Sequence, residues 1–93
     1  MDTDEKLWKE IKKAVLYWTI PKPDKKELLP EASLISLHLR DGKKGSHDIH
    51  NLTNLIHVFD DFEKQSGIEV DLDEIYELST LQDVFDLIRK KLK

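Results

Sequence analysis

Ser46, His47 and Asp48 are the letters of a nucleophilic triad. Three consecutive residues, however, cannot set a nucleophile, a base and an orienting carboxylate in line. The loop Gly42-Lys43-Lys44-Gly45-Ser46 is no phosphate-binding P-loop either, since no apolar strand precedes it and no Lys-Ser or Lys-Thr follows a correctly spaced second glycine. His47 and His50 stand three apart, and His57 and Asp61 four apart, spacings that put metal ligands on one helix face. Two turns or more separate the pairs, which leaves two half-sites and no closed metal centre. Cysteine is absent, so a disulfide, a thiol nucleophile and a cysteine-based zinc site are all excluded. No enzyme activity and no metal are expected, and any thioester would need a thiol brought by a prosthetic group.

Charge points to partners of one kind. Between Asp48 and Asp86 lie eleven acidic residues and a single basic one, Lys64, while the tail Arg89-Lys90-Lys91-Leu92-Lys93 is basic and the whole chain carries a net charge of -4. Such a field repels nucleic acid and anionic membranes and favours proteins with basic patches. The same acids also fit a plain solvated face, and both readings stay open. With 93 residues, 39% hydrophobic and 37% charged, the chain suits one small globular domain over 1–93. The apolar stretch from Ala14 to Trp18 is too short for a membrane span or a signal sequence. A cytoplasmic monomer is the expectation.

The elements that would position these residues follow from periodicity. Leu7, Trp8, Ile11, Ala14, Val15 and Trp18 recur at three- and four-residue steps and predict a helix from Thr3 to Trp18, with Tyr17 off the stripe. Pro21 and Pro23 end it. From Lys22 to His47 the chain reads as loop, with Leu28, Leu29, Leu34, Ile35, Leu37 and Leu39 pinning it to the core. Ile49, Leu52, Leu55, Ile56, Phe59 and Phe62 define a second helix that Ser46 or Asp48 caps and that Gly67 ends in the left-handed conformation. Leu72, Ile75 and Leu78 suggest a short third helix. Ser79 or Thr80 caps a fourth, with Leu81, Val84, Phe85, Ile88 and Leu92 facing inward. Without strand-like alternation, the fold class is all-α, a four-helix bundle.

The stretch from Phe62 to Leu92 resembles the second half of an acyl carrier protein, through Gly67-Ile68-Glu69-Val70, the short acidic helical turn and the helix start Ser79-Thr80-Leu81-Gln82. Pro30-Glu31-Ala32-Ser33-Leu34 is similar to the loop that precedes the family's attachment motif. The resemblance implies a carrier-type bundle with a long loop between helices 1 and 2, and a role presenting or sensing an acyl or aminoacyl group for acyl-transferring or ligase-type enzymes. In that family an Asp-Ser-Leu motif about four helical turns before the glycine carries 4'-phosphopantetheine. Here that count lands on Asn51-Leu52-Thr53, and the stretch from Arg40 to Asp48 reads as an insertion. The candidate attachment residue is therefore Ser46, about six helical turns before Gly67 and flanked by Gly45 and His47. Positions that hold acids in the family's second helix are Asn51, Asn54 and His57. The other reading of the same chain is a non-chargeable pseudo-carrier or helical adaptor that binds a protein partner through its acidic face.

Overall fold

The computed structural model describes residues 3–41 and 50–92. Their regular structure is helical: α1 (Thr3–Trp18), α2 (Leu52–Ser66), α3 (Leu72–Tyr76) and α4 (Leu81–Leu92), with a 3-10 turn at Lys25–Glu27 and one isolated bridge between Ser33 and Thr80. The fold is all-α across these residues, and all four helices feed one hydrophobic core.

Helix α1 has the bounds its apolar stripe predicts, burying Leu7, Ile11, Ala14 and Val15. Trp8 lies flat against Phe85, ring centroids 4.5 Å apart at 8°, and fastens α1 to α4. Helix α2 buries Leu52, Leu55, Val58, Phe59 and Phe62. Val58 widens the stripe beyond the predicted set, while Ile49, Ser46 and Asp48 lie outside the described residues. Gly67 ends α2 at φ 72°, its N–H donating to Glu63 O at 2.9 Å. A side chain there would meet no neighbour, so the requirement is one of backbone conformation alone.

The acidic turn is built from its own carboxylates. Glu63 accepts the Val70 N–H at 2.9 Å and Glu74 the Asp71 N–H at 3.1 Å. Glu74 also pairs with Lys91 at 3.0 Å, joining α3 to α4. The Asp71 amide and then Lys91 hold the Glu74 carboxyl below the usual glutamate range. At the start of α4 the capping residue is Thr80, whose Oγ1 accepts the Asp83 N–H at 3.3 Å while Asp83 accepts the N–H groups of Ser79 and Thr80 at 2.9 and 3.0 Å.

Three expectations about the connecting segment and the chain end need correction. Leu28, Leu34, Leu37 and Leu39 are buried, but Leu29 and Ile35 are 49% and 48% exposed, because the turns around Leu28 and over residues 33–39 carry these two side chains outward. Arg40, assigned by sequence to an inserted loop, is 2% exposed and donates from Nη1 to Leu78 O, so the core-facing segment runs further than expected. Leu92 is 46% exposed, beyond the last turn that the core reaches.

Leu55→Ala should cost about 3 kcal/mol in chemical denaturation, the range for emptying a fully buried leucine site, whereas Leu92→Ala should stay within about 0.5 kcal/mol. Glu74 supplies a pH signature. Its pKa is lower in the folded chain than in the unfolded one, so its contribution is fully present above the ordinary glutamate value and is lost as pH falls through the depressed folded value. Glu74→Gln should flatten the acid limb of the stability profile below roughly pH 4.3, the ordinary glutamate pKa, and thermal melts across that range measure it.

Candidate functional site

A helix start is where an attached phosphate finds unpaired amides and the positive end of the dipole. At the start of α2 the amides of Asn51 and Leu52 are already engaged. Asp41 reaches back from ten residues upstream, and its Oδ2 accepts the N–H of Asn51 at 2.5 Å and of Leu52 at 3.3 Å. Spacing does not single out Asp41 for this role, and the expected caps Ser46 and Asp48 lie outside the described residues. Asn54 closes the first turn further, donating from Nδ2 to His38 O at 2.9 Å and to Ile20 O at 3.3 Å. His38 itself sits at φ 60°, where only local hydrogen bonding and packing hold a non-glycine residue. Ser46, the candidate attachment site, lies outside the described residues. Among other serines, Ser33 and Ser36 are spent on their own turn, Ser33 Oγ accepting the Ile35 N–H and Ser36 Oγ donating to Ser33 O.

The acidic run is largely occupied within the fold. Asp60 pairs with Lys64 at 3.2 Å, Asp86 accepts Gln82 Nε2 at 2.8 Å, and Glu63, Glu74 and Asp83 hold backbone amides as above. Glu69 and Asp73 face solvent. His47 lies outside the described residues, and no group of three or more His, Cys, Asp or Glu among the described residues could hold a metal ion. His57 stacks on Trp18, centroids 4.9 Å apart at 17°, and its neighbour Asp61 accepts Trp18 Nε1 at 3.4 Å and Gln65 Nε2 at 3.3 Å. Among the described residues no helix is long and apolar enough to cross a membrane.

That cluster borders a groove. A depression of about 320 Å³ between the second half of α1 and the last turns of α2 is lined by Glu10, Lys13, Tyr17, Trp18, Asp61 and Gln65, with Ala14 also on its wall. Tyr17 is 73% exposed and meets Trp18 edge to face at 4.9 Å and 81°. Its position off the apolar stripe was the one visible signal; its juxtaposition with Asp61 is purely tertiary. Comparison with known protein families, with curated proteins and with solved structures finds no match to this chain.

If Asp41 is the cap, Asp41→Ala should destabilise the chain by about 1 kcal/mol, the usual cost of losing an N-terminal cap. Ser46→Ala should leave the melting temperature unchanged. A fall with Ser46→Ala and none with Asp41→Ala in thermal melts would assign the cap to the serine instead.

Proposed function

We propose that this chain is a non-chargeable relative of the acyl carriers: a carrier-like four-helix body, with a long first connection and a short third helix, that docks a protein partner and holds no phosphopantetheine arm. The Asp41 carboxylate on the first amides of α2 is the observation that carries the reading. An arm attached at this helix start would bring its phosphate to the same amides and the same dipole end, where a second anion beside Asp41 is repelled. The altered context of Ser46, with Gly45 before it and His47 after it, and the neutral residues Asn51 and Asn54 along the first turn of α2 support the reading too. With a net charge of -4, the favoured partner is an acyl-transferring or ligase-type enzyme presenting a basic patch, met as a cytoplasmic monomer. Nucleic acid and anionic membranes are disfavoured by the same field.

Incubation with coenzyme A and a broad-specificity phosphopantetheinyl transferase separates this from a chargeable carrier that presents acyl or aminoacyl groups. Intact mass should not change. A gain of one phosphopantetheine arm that Ser46→Ala abolishes and Ser36→Ala does not would reverse the reading and make Ser46 the attachment site.

A further inference from the structure

We propose that the groove between α1 and α2 receives an arginine side chain from a basic segment of the partner. Three observations meet there. Tyr17 offers an aromatic face that the fold leaves 73% exposed, and Trp18 backs it edge-on. Glu10 and Asp61 put two carboxylates on the same lining, against one cation, Lys13. Asp61 is also held in place from both oxygens, by Trp18 Nε1 on Oδ2 and Gln65 Nε2 on Oδ1, so its orientation is set before a ligand arrives. Each carboxylate oxygen has a second lone pair to give.

A guanidinium suits this arrangement better than an ammonium. It is planar, stacks on an aromatic face and donates through a fork that matches a carboxylate, whereas lysine brings a strongly hydrated point charge. The depression, about 320 Å³, has room for one long side chain and lies at the small end of ligand pockets. An arginine seated on an aromatic is also the kind of contact that dominates protein interfaces. The whole-chain charge of -4 draws such a segment in, while the uncharged Trp18 and Ala14 confine close contact to the groove.

The test uses the intact chain and two blocked short peptides, one with two adjacent arginines and one with two adjacent lysines. Trp18 reports directly, through its indole N–H in two-dimensional NMR; Trp8, stacked on Phe85, is the internal control. The arginine peptide should shift the Trp18 and Gln65 side-chain signals saturably, bind more tightly than the lysine peptide and leave Trp8 in place. Tyr17→Ala should weaken it roughly two- to fivefold, the scale of an exposed cation–aromatic contact, and Asp61→Asn should weaken it as well, both with an unchanged circular dichroism spectrum. Equal binding of the two peptides, no saturable shift, or indifference to either substitution overturns the proposal. It rests on the partner-docking reading only for the source of the arginine. Transfer of an arm to Ser46 would sink that reading and leave peptide binding to the groove standing, and failure of the groove would leave the arm-free reading intact.

Discussion

Four hydrogen bonds tie the segment before α2 to the junction of α3 and α4: Leu34 N–H to Ser79 O at 2.9 Å, Leu81 N–H to Ala32 O at 3.0 Å, Gln82 N–H to Pro30 O at 2.8 Å, and Arg40 Nη1 to Leu78 O. Each end of this joint needs the other. A connection far longer than the usual two to eight residues between bundle helices has backbone polar groups that no helix of its own satisfies. The first amides of α4, for their part, have no intrahelical acceptor. The carbonyls of Pro30 and Ala32 answer those amides, and Leu34, Leu37 and Leu39 are carried into the core as a result. Asp41 follows directly from the anchored Arg40, which is how a residue so far upstream comes to cap α2.

What could be read from the chain, and what could not, divides along this joint. The bounds of α1, the glycine stop at Gly67, the short α3 and the Thr80 start of α4 are all local: each rests on periodicity or on a cap a few residues away. Asp41 and Arg40 are the opposite case. A carboxylate ten residues before the amides it holds has no spacing signature, and a buried guanidinium looks in sequence like any basic residue near a glycine-rich stretch. Leu29 and Ile35 failed for a related reason, since in irregular backbone no fixed period says which leucine faces in. Of the groove only Tyr17, off the apolar stripe, was legible; Asp61 joins it on one lining only through the packing of two helices.

The acidic run shows why a charge count alone does not locate a docking face. Glu63, Glu74 and Asp83 are structural ligands for backbone amides, and Asp60 is paired along its own helix. None of them loses its charge by accepting an N–H group, so the long-range acidic field survives. Short-range affinity is another matter, because it depends on what surface stands beside a carboxylate and not on charge alone. Steering and seating therefore have different residues here. The field belongs to the acidic run that ends at Asp86, but seating the proposed arginine demands an oriented carboxylate beside exposed aromatic surface, as Asp61 with Tyr17 would offer.

The same separation bears on the start of α2. A dipole end can hold an external anion only while its amides are unclaimed, and the claim by Asp41 is maintained from a distance, through Arg40 on Leu78 and the paired backbone behind it. Freeing the helix start would mean releasing Asp41 from an anchor that also carries part of the core. The geometry that stabilises this small bundle is thus also the geometry that sets Asp41 on the amides of Asn51 and Leu52, and on the reading proposed above it is what would keep an arm's phosphate from that helix end.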